Sequence, residues 1–112
     1  MTRGQPNIGA MRHRVALEQA VDVPGAGGSA ARTWAVLGTV WAEILPERAA
    51  TRQRHGRTEM QVTHRVRTRF RAGLKAADRI VLGSRTFRVL GVVDVGELRR
   101  VLEFACREDL PR

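Results

Sequence analysis

The chain has 112 residues, enough for one domain that buries roughly two-thirds of the surface its unfolded form would expose. Its 20 basic and 11 acidic residues give a net charge of +9, which favours nucleic acid, acidic protein surfaces or anionic lipid as partners. A single cysteine excludes an internal disulfide framework, and we expect no membrane partner, because the sequence contains no long apolar run, no amphipathic basic helix and no secretory signal.

The first third of the chain predicts an arm and a strand. Residues 1–11 are polar and contain glycine and proline, which predicts a flexible N-terminal arm ahead of a single domain at 12–112. Alternating apolar residues then predict a first strand from His13 to Glu18. The Pro- and Gly-rich stretch at 22–29 predicts a loop after it.

A second strand is predicted from Trp34 to Leu45, closed by Pro46. Gly38 in its middle predicts a bulge or bend, a common way to curl a small sheet. Alternation places five apolar side chains on its inner face: Trp34, Val36, Val40, Ala42 and Ile44.

Arginines at every second position mark a third strand at about 59–71: Arg65, Arg67, Arg69 and Arg71. In extended backbone this period gives one guanidinium face and one mostly apolar face. Like charges about 7 Å apart repel one another, so the pattern predicts an acidic partner from outside, such as a phosphate backbone or a neighbouring subunit. The competing interpretation is a solvated strand face that prevents aggregation. We expect Arg67→Ala to cost the isolated domain little stability yet to impair assembly.

The stretch 47–58, between the second and third long strands, has no large apolar side chain to anchor it. It is rich in basic residues, among them Arg52, Arg54, His55 and Arg57. We expect a long, mobile basic loop that only a partner could order.

Three short strands are predicted at the end of the chain, at 79–82, 85–93 and 100–107, with a hairpin turn at Gly83–Ser84. A single helical turn is predicted at 74–78. About six short strands with regular turns predict the all-β class, as a small antiparallel barrel or sandwich. The predicted core consists of Trp34, Val40, Ile44, Val66, Phe70, Phe87, Val89 and Phe104.

The sequence shows no catalytic motif, metal site or cofactor motif. Its histidines, His13, His55 and His64, have no metal-ligand spacing, and the glycine-rich stretch before Ser29 lacks the Lys-Ser/Thr of a phosphate-binding loop. Cys106 lies on the same side of its strand as Leu102, which predicts a buried thiol. We therefore expect no catalytic residues, no metal and no cofactor.

Five blocks of sequence, in this order, resemble one known family: Arg12–Val15, Trp34 with Thr39–Pro46, Thr63–Leu74, Asp78–Val92 and Leu102–Glu108. The family is that of the head-tail joining proteins of tailed bacteriophages, also called head-tail adaptors, head-completion proteins or stoppers. Related forms occur in phage-like gene transfer agents. The resemblance covers nearly the whole chain from Arg12 to Glu108.

The resemblance implies a small β-barrel that assembles into a six- or twelve-fold ring between the portal or adaptor ring and the tail terminator or tail tube protein. Double-stranded DNA would pass through the ring. The loop at 47–58 would gate the channel, grip DNA or dock on a neighbour, with Arg52, Arg54, His55 and Arg57 as the candidates for facing the channel and its DNA. The arginine strip would dock on a partner ring. The protein would be made in the bacterial cytoplasm and act at the head-tail junction of a virion or virus-like particle.

Two other functions remain open at the level of sequence. A monomeric β-barrel nucleic-acid-binding protein would account for the charge, although such barrels normally carry stacking aromatics, and most aromatics here fall on apolar faces. A small hydrolase would require a site assembled only in three dimensions. The first function predicts affinity for free DNA or RNA without assembly, and the second predicts turnover.

Overall fold

The computed structural model describes residues 8–25, 30–47 and 61–110. The strands in these ranges are β1 His13–Pro24, β2 Ala30–Pro46, β3 His64–Arg69, β4 Arg79–Leu82, β5 Arg85–Asp94 and β6 Val101–Asp109. All neighbouring strands are antiparallel, and they close into a barrel in the order β1-β2-β3-β6-β5-β4, with β4 pairing back onto β1. The predicted all-β barrel of six strands is confirmed.

The core fills the inside of this barrel, because alternate side chains of every strand point inward. Val66, Phe87 and Phe104 are fully buried, as predicted. Four other predicted core residues are partly buried and pack against this cluster: Val40, Ile44, Phe70 and Val89. Thr68 is the fully buried polar residue among the described ones, and its Oγ1 donates a hydrogen bond to the Arg69 carbonyl at 3.0 Å.

The alternation of inward and outward side chains in β2 reverses at the predicted bulge. Leu17 pairs with Gly38 but Glu18 pairs with Val36, so Leu37 is the extra residue, and it packs against the core. One extra residue reverses the phase of every side chain before it. The predicted inward positions of Val36 and Trp34 are therefore wrong: Val36 is exposed, and Trp34 lies outside the core with its ring 3.7 Å from the Arg79 guanidinium.

The first two strands are longer than predicted and form a two-stranded arm beyond the barrel. Strand β4 pairs only with Ala16 to Glu18 of β1, whereas β1 and β2 remain paired out to Pro24 and Ala30. The expectation of a loop at 22–29 is thus wrong for 22–24. Cross-strand pairing holds these residues in the sheet, and Arg32 Nε lies 3.1 Å from Asp22 Oδ1 across the arm.

Short turns complete the described chain. Of the predicted N-terminal arm, residues 1–7 lie outside the described ranges, Ile8–Ala10 forms a 3₁₀ turn and Met11 is buried. The predicted helical turn is a 3₁₀ turn at Leu74–Ala76, and the predicted hairpin turn joins Leu82 to Arg85. Gly83 supplies the left-handed backbone of that hairpin, with φ at 58°. The described residues include no helix long and apolar enough to cross a membrane.

Candidate functional site

The arginine strip lies on the outer wall of the barrel. Val66 and Thr68 of β3 point into the core, so Arg65, Arg67 and Arg69 point outward. Arg71 follows the end of the strand. The order of the barrel places β2 on one side of β3 and β6 on the other, and these two strands determine what each guanidinium meets.

Arg65 and Arg67 meet carboxylates of their own chain. Arg67 Nε donates to Glu103 Oε1 at 2.8 Å, and its other side faces Glu43, with 3.9 Å between charged atoms. Arg65 donates to Glu47 at 3.1 Å and to Glu103 at 3.4 Å. We call this group the ionic belt: Glu43, Glu47, Arg65, Arg67 and Glu103.

The ionic belt is largely withdrawn from solvent. Only 14% of the Arg67 side chain and 16% of the Glu103 side chain remain exposed. Hydrogen bonding to Glu47 raises the pKa of Arg65, so this guanidinium stays charged. Half of the strip therefore has its counter-charge inside the subunit, and the sequence-based requirement for an outside acid does not apply to Arg65 and Arg67.

The other half of the strip lies beside an open groove. The pairing of β2 with β3 ends at Ala42 and Thr68, and beyond this point the two strands separate. The resulting groove has a volume of about 720 Å³ and is lined by Met11, Arg14, Thr39, Val40, Trp41, Arg69, Phe70 and Arg71. We call it the seam groove. Trp41 is 52% exposed there, and the Arg14 guanidinium lies 5.4 Å from the centre of its ring.

The basic loop begins and ends at a fixed point on the barrel. The Glu47 N–H donates to the Thr63 carbonyl at 2.8 Å, and the Thr63 N–H donates to the Cys106 carbonyl at 2.8 Å. The four predicted channel residues, Arg52, Arg54, His55 and Arg57, lie outside the described residues. Their role as DNA-facing residues stays a prediction.

A small polar cluster surrounds this attachment point. Thr63 Oγ1 accepts a hydrogen bond from the Glu108 N–H at 2.8 Å and lies 2.9 Å from His64 Nδ1. The His64 ring packs edge-on against Phe87, with 5.2 Å between ring centres, and its Nε2 lies 3.8 Å from Glu108. Burial lowers the pKa of His64 below its usual 6.5, although Glu108 opposes the effect.

We expect this cluster to make stability depend on pH. A lowered pKa means that below pH 6.5 the unfolded chain binds a proton at His64 that the folded chain binds less readily. The stability that neutral His64 contributes is therefore complete above pH 6.5 and is lost as pH falls through the lower pKa of the folded state. His64→Gln should remove this part of the fall in stability. The measurement is the urea midpoint of wild type and variant at pH values from about 7.5 to 5.

A second loss of stability, at more acidic pH, should persist in the His64→Gln variant. The hydrogen bond from Arg85 lowers the pKa of Glu108 below 4.5, so its contribution is present above pH 4.5 and disappears below it. An identical decline of wild type and His64→Gln above about pH 5 would show that His64 does not contribute.

Metal-ligating side chains do not cluster among the described residues. No three of their His, Cys, Asp and Glu side chains converge as possible metal ligands. Cys106 is buried as predicted, and burial raises its pKa to about 12, which keeps the thiol protonated near neutral pH.

Sequence reasoning did not identify the residues on neighbouring strands that surround the arginine strip. Trp41 falls between the inward positions Val40 and Ala42, so alternation alone indicated its exposure, but nothing local indicated its neighbours. Arg14 lies opposite Trp41 on β1, and Glu43 and Glu103 lie opposite Arg67 on β2 and β6. These pairings depend on strand order, which the sequence does not state.

Comparison with known proteins places the chain among virion components. The model of one protein family, the phage head completion proteins, matches residues 6–109. A chain in the solved virion of a native gene transfer agent particle is 26% identical, with a TM-score of 0.60, and the match covers 96% of this chain and 100% of that one. No curated protein matches the chain in sequence.

A further solved structure supports the fold alone. The solution structure of a Shigella flexneri 2a protein is 24% identical, with a TM-score of 0.70, and the match again covers 96% of this chain and 100% of that one. The barrel and its connections are therefore common to proteins whose sequences have diverged widely.

Proposed function

This chain belongs to the phage head completion protein family, and from that premise we propose that it is a stopper or adaptor subunit forming a ring at the head-tail junction. It is a structural component of a phage or gene transfer agent virion and assembles with other virion proteins. The family match over residues 6–109 is the observation that carries this conclusion.

In the proposed ring, six or twelve copies lie between the portal or adaptor ring on one side and the tail terminator or tail tube protein on the other. Double-stranded DNA passes through the centre. The subunit has no catalytic task, and its work is to hold a channel of fixed shape. A closed barrel suits this task, because every strand pairs with a neighbour on both sides over part of its length, which leaves fewer free edges for wrong pairing than an open sheet has.

The basic loop acts on the DNA in this proposal. Its base is held at Glu47 and Thr63, so its four basic residues can be presented to the ring axis without moving the barrel. Copies of Arg52, Arg54, His55 and Arg57 around one axis repel one another until phosphate neutralises them. This favours a DNA-retaining collar over a plug that seals itself.

Changing the four loop residues together to serine tests the proposal. Ring assembly should be unaffected, while filled heads should lose DNA before tails attach, measured as protected DNA per purified head. A matched variant with lysine at the three arginine positions should retain DNA, because lysine keeps the charge. Unchanged retention in the serine variant, or an assembled ring with this loop on its outer surface, would refute the collar.

One observation favours a second function. The exposed Trp41 beside Arg14 and Arg69 has the side chains of a stacking platform for single-stranded nucleic acid. A monomeric nucleic-acid-binding barrel would bind a free oligonucleotide and stay monomeric at high concentration. A ring subunit would assemble and join purified heads to tails, so sedimentation and a joining assay separate the two functions.

A further inference from the structure

The seam groove combines an apolar floor with a cationic rim. Met11, Val40 and Phe70 form its apolar part, and the exposed ring of Trp41 stands beside them. The gap exists because the β2–β3 ladder stops at Ala42 and Thr68, and from there on none of the described strands pairs with this edge of β2. Its volume of about 720 Å³ is that of a site for several side chains.

The rim carries three guanidinium groups: Arg14, Arg69 and Arg71. Among the residues that the structure describes, no carboxylate forms an ion pair with any of them, whereas Arg65 and Arg67 on the same wall each pair with carboxylates. Gly38 leaves room for Arg71 to lie close to the wall: a Cβ at that position would be 3.2 Å from the Arg71 Nη1. The charge at the groove is therefore concentrated, and the described part of the chain supplies no counter-charge for it.

We propose that the seam groove binds an extended acidic segment of another virion protein, with a bulky apolar side chain on the groove floor and carboxylates at the arginine rim. The inference rests on the proposed function in one respect, that the partner is another protein of the particle. Burying an apolar side chain on the groove floor stabilises the complex, and the charge-assisted bonds at the rim fix its register.

The charges of this chain argue against a second copy as the occupant. Most of its described carboxylates are already engaged: Glu18 with Arg79, Asp22 with Arg32, Glu108 with Arg85, and three more in the ionic belt. A nucleic acid fits less well than a peptide. Its sugars and phosphates would meet the arginines but not the apolar floor, and the bases of a single strand would have to compete with the Arg14 guanidinium for the Trp41 ring.

The test measures binding of a synthetic peptide of about eight residues that alternates aspartate with leucine or phenylalanine to the full chain. Fluorescence of Trp41, followed in a Trp34→Phe background, should change on binding. Trp41→Ala and the double change Arg69→Ala with Arg71→Ala should each weaken binding of the peptide at least about tenfold, followed by calorimetry. Arg107→Ala, an exposed arginine on β6, is the matched control and should leave affinity unchanged.

Two comparisons can overturn the inference. Equal binding of a peptide with asparagine for aspartate, or no binding at all, would refute the acidic segment. Displacement of the peptide by a single-stranded oligonucleotide at lower concentration would assign the groove to nucleic acid instead.

In particles, Trp41→Ala should block head-to-tail joining while heads still retain DNA. Normal joining by Trp41→Ala, together with DNA leakage from the loop variant, would remove the groove proposal but keep the proposed function. Normal behaviour of both variants would remove both.

Discussion

Replacing Phe104 with alanine should lower the free energy of unfolding by roughly 3–5 kcal/mol. Phe104 is fully buried on β6, where it pairs with Val66 of β3 on one side and Val92 of β5 on the other. The loss combines removal of a large apolar side chain from the core with the cavity left behind. Domains of this size are stable by about 5–15 kcal/mol, so a large share of the total should disappear in urea unfolding.

Phe70→Ala provides the matched control for this prediction. It deletes the same side chain, but Phe70 is only partly buried and lines the seam groove. Its loss should be about half that of Phe104→Ala, because less apolar surface returns to water. Equal losses would mean that the seam groove is closed in solution.

Arg67→Ala should cost about 2–3 kcal/mol, more than any other single arginine of the strip. Removing one member of a fully buried ion pair costs about 3–5 kcal/mol, and the value here is lower because the pair retains some exposure. The change leaves Glu43 and Glu103 facing each other's charge without the cation between them. The sequence-based expectation of a small effect is therefore replaced by a large one.

Arg69→Ala is the control for the ionic belt. Arg69 lies two residues along the same strand, is exposed and has no ion pair among the described residues, so its loss should stay within about 0.5 kcal/mol. A double-mutant cycle with Glu103→Ala should give a coupling energy for Arg67 and none for Arg69. Similar losses from Arg67→Ala and Arg69→Ala would show that the belt does not stabilise the fold.

Much of the fold could be predicted from alternation and turn chemistry. Val66, Phe87 and Phe104 were placed in the core because each lies in the apolar phase of a period-2 segment. Gly83–Ser84 predicted its hairpin, because a two-residue loop requires positive φ. These signals depend only on residues close together in the sequence, and the structure confirms the predictions made from them.

What failed depended on non-local pairing. Trp34 lies on the face opposite to the predicted one because β2 contains one extra residue, Leu37. Gly38 indicated a bulge but not which residue would be the extra one. The internal counter-charges of Arg67 come from β2 and β6, which lie 24 and 36 residues away in the sequence. The seam groove arises where a ladder ends, and the length of a ladder is determined by three strands together.

The hydrogen bond from Glu47 to Thr63 has a consequence for how this protein can vary. It fixes the two ends of the intervening segment 48–62 whatever the length of that segment. Loop-closure entropy grows only logarithmically with length, so doubling the segment costs about 0.6 kcal/mol. The barrel can therefore accept long insertions at this position with little loss of stability, while the paired strands of its wall stay the same.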